Sequence, residues 1–181
     1  MRLLLDRFPS PVGDILLVHD EHGQLRALDF ADYEARMLRL LRLHYGRVEL
    51  TGKTAPTRTV RSLDAYFSGA LDATSHISTA IGGTEFQKSV WALLRSIPSG
   101  TTSTYGDLAK MLKKPGAMRA VGLANGANPI AIVVPCHRVI GASGALTGFG
   151  GGLHRKRWLL EHEGVLLRSA DHSNELTTRR N

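Results

Sequence analysis

The chain has 181 residues, 43% of them hydrophobic, enough for the core of one domain or of two small ones. Its single cysteine excludes an intrachain disulfide and a zinc module built on several cysteines, and it predicts a reducing compartment, the cytoplasm. The apolar run Leu3–Leu5 is followed at once by charged residues, and no later stretch approaches membrane-spanning length. We therefore expect neither secretion nor membrane insertion.

The net charge of +7 is concentrated in one part of the chain. Residues 84–168 hold eleven Lys and Arg side chains against four Asp and Glu, whereas the two signs balance in residues 1–83 and in 169–181. A polyanion-binding surface requires such an excess. Charge alone does not distinguish this function from an ordinary solvated basic face.

The first half of the chain predicts a small α/β domain. Three short apolar runs predict an antiparallel meander of strands over Arg2–Phe8, Ile15–Asp20 and Leu25–Phe30, joined by turns at residues 9–13, with two prolines and a glycine, and at residues 21–24, with a glycine. Two helices should follow, over Tyr33–Tyr45 and Val60–Phe67. On the first of these, the apolar face is expected to carry Tyr33, Met37, Leu40, Leu41 and His44, and the solvated face Arg36, Arg39 and Arg42.

The segment Ser68–Gly83 is rich in Gly, Ser and Thr, and we place the end of a first domain there, at residue 83. Thr84-Glu85-Phe86-Gln87 has the pattern of a capping box and should start a helix that ends at Pro98. A second capped helix through Leu112 and a third over Ala117–Ala124 give a helix-turn-helix outline. Residues 84–168 thus predict a DNA-binding domain, and 169–181 a polar, disordered tail.

The lone cysteine, Cys136, is the most informative residue. It follows the apolar segment Ile130–Val134, expected to be extended, and precedes His137 and a loop with six glycines between residues 141 and 152. A thiol attacks as thiolate, so a reactive cysteine needs basic or hydrogen-bonding neighbours. A lone cysteine is more often buried and inert, and a glycine-rich loop can be merely flexible; only the flanking residues favour reactivity here. A last helix should cover His154–Glu163.

The motif Pro135-Cys136-His137-Arg138-Val139-Ile140, preceded by Arg119-Ala120-Val121-Gly122 and Asn128-Pro129, resembles the signature of the O6-alkylguanine-DNA alkyltransferase family. The resemblance spans roughly residues 1–167. It implies an α/β (α+β) fold class, with a ribonuclease-H-like amino-terminal domain packed on an α-helical domain of winged-helix or helix-turn-helix type. It also implies direct-reversal DNA repair, in which an alkyl group leaves O6-alkylguanine, or O4-alkylthymine, irreversibly for Cys136, with no cofactor and no metal.

The same resemblance implies roles for the residues around the thiol. His137 would act as base through a water molecule, because adjacent residues on an extended backbone point to opposite sides, and Glu163 would orient its ring. Tyr105 would crowd a phosphate and assist proton transfer to the departing guanine, and Asn128 would tie the recognition helix to the strand that carries Cys136. Without the resemblance, the sequence favours a structural hydrogen bond for His137 and a surface carboxylate for Glu163. The alternatives for Tyr105 and Asn128 are a packed ring and an Asx turn.

Recognition would require extrusion of the damaged nucleotide from the duplex. By resemblance, Arg119 inserts into the stack, and Ala120 and Gly122 on the same helix approach the DNA together with Tyr105. An ordinary phosphate contact is the alternative role of Arg119. The implied partners are double-stranded DNA carrying O6-alkylguanine and single-stranded DNA; we expect a monomer, and cooperativity along DNA stays open.

The wall of the base pocket would include, by position, Val139, Phe149, Gly150 and Asn125. Some family members carry Tyr-Ser in place of Phe149-Gly150, and some a methionine in place of Asn125, so the size preference for the alkyl group is open.

Two other functions compete with DNA repair by alkyl transfer. A non-repairing damage sensor usually has tryptophan at the cysteine position, and a helix-turn-helix regulator would make Cys136 incidental.

Overall fold

The computed structural model describes residues 1–167. The tail predicted over residues 169–181 lies outside the described residues. Within residues 1–167, none of the helices combines the length and the apolar character that crossing a bilayer requires.

The amino-terminal half begins with the predicted meander, formed by β1 (Arg2–Phe8), β2 (Ile15–His19) and β3 (Leu25–Phe30). Each strand pairs antiparallel with the next, and all five residues of β2 are buried. Ile15 and Leu17 of β2 join one hydrophobic core, while Leu16 and Val18 join a second core on the other face. The sheet is therefore covered on both sides, and the predicted strands are confirmed.

Helices flank this sheet. They are α1 (Glu34–Tyr45), which packs on the second core, and α2 (Thr57–Phe67), which starts three residues earlier than predicted, after Pro56. Between them lies β4 (Glu49–Gly52), which pairs parallel with β1 and gives the order β3-β2-β1-β4. Sequence analysis missed β4 because it is a short edge strand with three of its four residues exposed, and so lacks alternation.

The prediction that Arg36 lies on a solvated face of α1 was wrong. Its guanidinium forms an ion pair with Asp29 of β3 and donates to the carbonyls of Gly126, at 2.9 Å, and Asn128, at 3.0 Å. Arg39 and Arg42 are exposed, as expected. Helical periodicity identifies the face turned away from the local core, but it does not indicate that another part of the chain packs there.

The carboxyl-terminal half contains the predicted helices. They are α3 (Glu85–Ser96), whose Thr84–Gln87 capping box is complete, α4 (Tyr105–Met111), capped by Thr104, and α5 (Met118–Gly126). A two-residue strand, β5 (Ser103–Thr104), precedes α4 and was not predicted. Trp91 of α3 donates its indole N–H to the Ala124 carbonyl at 2.9 Å, which fixes α5 against α3.

The apolar segment 130–134 is a buried turn rather than the predicted extended segment. It makes one bridge to Leu28 of β3, and the Val134 amide then donates to the Ile130 carbonyl at 3.0 Å. Ile132 adopts a φ of 69° within this turn. A run of apolar residues reports burial but not backbone conformation, which is why the prediction failed.

Residues 136–138 then form a 3₁₀ turn, followed by β6 (Val139–Ile140), which pairs parallel with β5, and by α6 (Leu153–His162). Cys136 and His137 therefore lie on a turn and not on an extended strand. The prediction that they point to opposite sides assumed an extended backbone, so its premise was wrong.

Candidate active site

Cys136 begins the 3₁₀ turn and is 4% exposed. The fully buried Asn128 holds it from one side, with the amide Nδ2 donating to Sγ at 3.1 Å and to the Val134 carbonyl at 2.8 Å. The Asn128 Oδ1 accepts from the Ile130 amide at 3.0 Å. One side chain therefore fixes both ends of the buried turn and gives the sulfur a hydrogen-bond donor.

The electrostatics around the sulfur leave the thiol protonated at rest. Burial raises the pKa of the Cys136 thiol, while the Asn128 hydrogen bond and the positive charges of Arg36 and Lys156 act in the opposite direction without overcoming it. A protonated thiol is a poor nucleophile. The site therefore needs a base that removes the proton when substrate is present.

His137 has the properties of such a base. Its ring is completely buried, and Nε2 lies 2.8 Å from Oε1 of Glu163. Because a carboxylate only accepts hydrogen bonds, Nε2 must carry the proton of the neutral ring, which leaves the lone pair on Nδ1. Nδ1 has no hydrogen-bond partner among residues 1–167. Burial lowers the pKa of His137, and the opposing effect of Glu163 is smaller, so the imidazole is neutral at physiological pH.

Glu163 caps α6 and is 3% exposed, so it is not a surface carboxylate. Besides His137, it accepts from Arg138 at both oxygens, each at 2.9 Å, and from the Tyr66 hydroxyl at 2.8 Å. Burial alone would raise the pKa of Glu163, but the hydrogen bonds from His137 and Arg138 hold it well below its usual range. The carboxylate is therefore ionised and fully satisfied by protein donors.

Three further residues of this region were missed or underrated by sequence analysis: Tyr66, Arg138 and Lys156. Sequence analysis gave Arg138 no role beyond its place in the motif around Cys136, yet besides Glu163 it donates to the Ile97 carbonyl at 2.6 Å and to Ser99 Oγ at 3.0 Å. Tyr66 lies in the apolar face of α2, where the sequence indicates a core residue. No local signal connects either side chain to Glu163.

Lys156 belongs to the basic run at residues 154–157 near the start of α6, the pattern of a solvated face, but it is completely buried. Its ammonium donates to the carbonyls of Val139, at 2.5 Å, and Thr147, at 2.6 Å. Burial lowers the pKa of Lys156 to about 8. This side chain therefore ties β6 to the glycine-rich loop, next to the turn that carries Cys136.

Two glycines of that loop are required by close packing against the amino-terminal half. A Cβ on Gly150 would fall 2.5 Å from the Arg36 guanidinium, and one on Gly151 would collide with the Phe30 ring. Phe149 packs edge-on to both Phe30, at 6.2 Å, and His137, at 6.5 Å between ring centroids. A side chain at residue 150 would therefore displace the Arg36 guanidinium from Asp29 and from the carbonyls of Gly126 and Asn128.

The other expected pocket residues lie close to these elements. Val139 is buried in β6, and Asn125 is buried in α5 with its Oδ1 unpartnered among residues 1–167. Tyr105, at the start of α4, accepts a long hydrogen bond of 3.5 Å from Thr147 of the loop, and its ring lies 3.8 Å from a Cβ placed on Gly122. Tyr105 therefore joins α4, the glycine-rich loop and α5.

Helix α5 presents the residues expected to meet DNA. Arg119 and Ala120 are exposed and Gly122 is half-buried, while two apolar side chains, Met118 and Leu123, are 53% and 72% exposed. Within the described chain, Arg119 makes no hydrogen bond or ion pair through its side chain. This face of α5 is therefore open to an external partner.

Not every basic side chain in residues 84–168 is available to bind an external partner. Arg138, Arg155 and Lys156 are 8% exposed or less and are engaged with protein acceptors. Arg155 donates to the Val12 carbonyl at 2.8 Å and forms an ion pair with Asp32, so it joins the two halves. These three cations serve the fold and the site rather than a polyanion-binding surface.

Comparison with known proteins gives a consistent result. Residues 5–81 match the model of the 6-O-methylguanine DNA methyltransferase ribonuclease-like domain, and residues 85–165 match that of its DNA binding domain. The methylated-DNA–protein-cysteine methyltransferase of Shigella flexneri is 48% identical over 169 residues, which cover 92% of this chain and 99% of that protein.

Two solved structures are similar over most of the chain. Mycobacterium tuberculosis OGT, crystallised in complex with DNA, is 43% identical with a TM-score of 0.75, covering 90% of this chain and 92% of that one. O6-methylguanine-DNA methyltransferase from Pyrococcus kodakaraensis is 28% identical with a TM-score of 0.72, covering 90% of this chain and 99% of that one.

These similarities confirm the predicted fold class, a ribonuclease-like α/β unit followed by a helical DNA-binding unit. They extend over both halves of the chain and include the turn that places Cys136 beside Asn128 and His137. The chain therefore belongs to the 6-O-methylguanine DNA methyltransferase family.

Proposed function

We propose that this chain repairs alkylated DNA by direct reversal, moving the alkyl group from O6 of a guanine in DNA to Sγ of Cys136. The observation that carries the proposal concerns one buried turn, which carries both Cys136 and His137. There the Cys136 sulfur accepts a hydrogen bond from Asn128, and the His137 ring is hydrogen-bonded to Glu163. It provides a thiol with a fixed direction and, beside it in the sequence, a neutral imidazole whose second nitrogen has no partner among the described residues. These are the parts of an activated sulfur nucleophile. The relatives named above support the substrate class.

The reaction balances without a cofactor. Nδ1 of His137 takes the Cys136 proton through one water molecule, and the sulfur forms a bond to the alkyl carbon as the bond from that carbon to O6 breaks. The electron pair of the broken bond moves into the purine, and N1 of guanine takes up a proton, for which the Tyr105 hydroxyl is the proposed donor. His137 then returns its proton to solvent or to Tyr105. The products are guanine and a thioether.

A thioether is not cleaved under physiological conditions, so each chain reacts once. The same attack applies to O4-alkylthymine, because there too the alkyl carbon sits on an exocyclic oxygen whose departure restores the normal base. We propose this base as a second substrate. The cytoplasm is the proposed location, since a reduced Cys136 is a condition of the reaction.

Burial of the sulfur requires the damaged nucleotide to leave the duplex, because a stacked base cannot reach a thiol that is 4% exposed. Arg119 is the proposed filler of the gap, since it is exposed on α5 and its side chain has no partner among residues 1–167. Ala120 and Gly122 have small side chains, so this part of α5 can approach the DNA groove closely. Tyr105 is the proposed contact to the flanking phosphate.

The extruded base would lie against Val139, Phe149 and Gly150, with Asn125 on the α5 side. The unpartnered Oδ1 of Asn125 is an acceptor suited to an N–H of guanine. Little of this recognition depends on the sequence around the lesion, so we propose that single-stranded DNA is accepted as well as duplex, and that a monomer is the active species.

Intact-protein mass spectrometry after incubation with duplex DNA containing O6-methylguanine tests the proposal, with peptide mapping of the product and Cys136→Ala as control. We expect one methyl group per chain, located on Cys136, and none on the variant. Tight binding without methylation would identify a damage sensor, and neither binding nor methylation would overturn the proposal. If the unsubstituted protein and Cys136→Ala both bound undamaged DNA, and neither was methylated, the result would favour a regulator.

A further inference from the structure

Tyr66 brings the amino-terminal half of the chain into contact with the proposed catalytic groups. It lies in α2, is completely buried, and donates its hydroxyl to Oε1 of Glu163 at 2.8 Å, across 97 residues of sequence. The same oxygen is 2.8 Å from Nε2 of His137. The tyrosine hydroxyl and the imidazole therefore share one carboxylate oxygen.

The surroundings of Tyr66 hold this hydroxyl in place. Its ring packs edge-on against Phe67 and His162, each at 5.2 Å between centroids, and His162 Nε2 donates to the Tyr66 carbonyl at 2.8 Å. Burial raises the pKa of Tyr66, and the adjacent charge of Glu163 raises it further, so the hydroxyl keeps its proton. Tyr66 is consequently a permanent hydrogen-bond donor to Glu163.

Glu163 is held by Arg138 as well as by Tyr66. Arg138 binds the carboxylate in the two-pronged manner, with Nε to Oε2 and Nη2 to Oε1, both at 2.9 Å. What the tyrosine adds is a third donor on Oε1, the oxygen that faces the imidazole. Each donor withdraws negative charge from this oxygen and weakens its attraction for a second proton on His137.

We propose, on the basis of the function above, that Tyr66 is a positioning residue of alkyl transfer: acting through Glu163, it keeps the His137 ring neutral and its free nitrogen ready for the Cys136 proton. The ribonuclease-like half thereby contributes to the reaction and does more than support the fold.

The other charged groups that face His137 act in known directions. Arg138, in its own turn, and Lys156, from α6, carry positive charge and disfavour protonation of the ring, whereas Glu163 favours it. Tyr66 moderates that one favourable influence. Its removal should therefore make His137 easier to protonate, and the effect should depend on the charge of Glu163.

The test is Tyr66→Phe, which removes the hydroxyl and retains the ring. The second-order rate of methyl transfer to Cys136 is measured from pH 5.5 to pH 9 with the O6-methylguanine duplex. We expect the acid limb of the profile to move up by about half a pH unit, so that the rate falls about threefold on that limb and is unchanged above pH 8.

Tyr45→Phe is the matched control. The Tyr45 hydroxyl donates to the Ala80 carbonyl at 2.8 Å and accepts from the Gly82 amide at 2.9 Å, so its loss also removes interior hydrogen bonds, but away from His137. Its acid limb should coincide with that of the unsubstituted protein. A displaced limb in both variants, or in neither, would overturn the role of Tyr66.

A second comparison isolates the route through the carboxylate. In a Glu163→Gln background the NMR titration of the His137 ring nitrogens should be the same with Tyr66 and with phenylalanine at this position, whereas with Glu163 present the pKa of His137 should be higher in Tyr66→Phe. An equal shift in both backgrounds would refute action through Glu163. Because this titration requires no alkyl transfer, it distinguishes failure of the inference from failure of the proposed function, which would appear as no methylation of the unsubstituted protein.

Discussion

The buried cluster around Cys136 and the exposed face of α5 are built on opposite principles. His137 and Glu163 are buried and bonded to protein partners, whereas Arg119 is exposed and has none within residues 1–167, and Leu123 is 72% exposed. The proposed catalytic groups are thus held in place by the protein itself, while the proposed recognition surface would be completed only by DNA. Changes in the cluster should cost stability and affect every substrate; changes on α5 should spare stability and affect DNA alone.

The largest effect is expected for Glu163→Ala. It leaves the Arg138 guanidinium, 6% exposed, without its counter-charge, and loss of one partner of a buried ion pair typically costs about 3–5 kcal/mol of unfolding free energy. It also removes the group that orients His137, so methyl transfer should be lost with both duplex and free O6-alkylguanine. Denaturant unfolding and mass spectrometry measure the two effects.

Glu161→Ala is the control for that variant. Glu161 lies on the exposed side of α6, and among residues 1–167 its side chain makes one long contact, with Arg157 at 3.7 Å, so its loss should change stability by less than about 0.5 kcal/mol. Equal stability of the two variants would mean that the cluster is not held together by Glu163.

The next effect tests the exposed face through Arg119→Ala. Extrusion of a nucleotide costs a few kcal/mol, so if Arg119 fills the gap as proposed, its loss should slow transfer from duplex DNA by about 30-fold, or about 2 kcal/mol. Transfer from the free base and the unfolding free energy should be unchanged, because Arg119 has no partner in residues 1–167. The rate ratio of duplex to free base is the measurement.

Lys110→Ala provides the comparison for Arg119, since Lys110 is also an exposed cation, on α4. It should weaken duplex binding through lost phosphate attraction without a selective loss of transfer. If Arg119→Ala slowed duplex and free base equally, its role would lie in the pocket and not in extrusion.

Local signals explain which parts of this arrangement the sequence predicts. Both capping boxes and the three-strand meander depend on residues within a few positions of one another, such as Thr84 with Gln87 and Thr104 with Asp107. The grouping of Cys136 with its neighbours came from a motif resemblance. Its geometry did not follow from the pattern, because five apolar residues at 130–134 are equally compatible with a strand and with the buried turn that is present.

Contacts between distant segments were not predictable in the same way. Tyr66 meets Glu163 across 97 residues, and Arg36 meets Asn128 across 92. Lys156 occurs in a basic run at the start of a helix, the pattern of a solvated surface, yet it is fully buried among carbonyl groups. Residue type and periodicity describe the local face of an element and carry no information about which other segment covers it.

Lowering the pH should reduce the unfolding free energy by less than the Glu163→Ala substitution does. Burial lowers the pKa of His19 and His137 in the folded chain, so between that lowered pKa and about 6.5 the unfolded chain binds more protons. The stability they contribute is complete above pH 6.5 and is lost as the pH falls towards the folded pKa, by up to about 1.4 kcal/mol per pH unit for each ring. Glu163, with its pKa well below the usual range, stays ionised throughout this window.

Urea unfolding of His19→Gln at pH 7.5 and pH 5.5 measures that dependence, with His22→Gln as the exposed control. The difference in unfolding free energy between the two pH values should shrink only in His19→Gln. An unchanged difference would show that His19 does not resist protonation, and the acid sensitivity would then belong to His137 and His44, whose pKa values burial also lowers.

The smallest effect should come from Leu123→Ala, and it sharpens what the exposed face recognises. Leu123 and Met118 flank Arg119 on α5 and leave apolar surface in water, which minor-groove proteins often place against the DNA. Truncation should weaken duplex affinity by about threefold, because only part of one side chain would be buried, and should leave stability within about 0.5 kcal/mol. Fluorescence anisotropy in a Cys136→Ala background measures affinity without transfer.

Leu43→Ala is the control, because Leu43 is 64% exposed but lies on α1; its loss should leave the duplex affinity unchanged. Equal affinities for both variants would restrict DNA recognition on α5 to Arg119 and the small residues beside it, whereas a selective loss would show that the open face reads the groove by apolar contact as well as by charge.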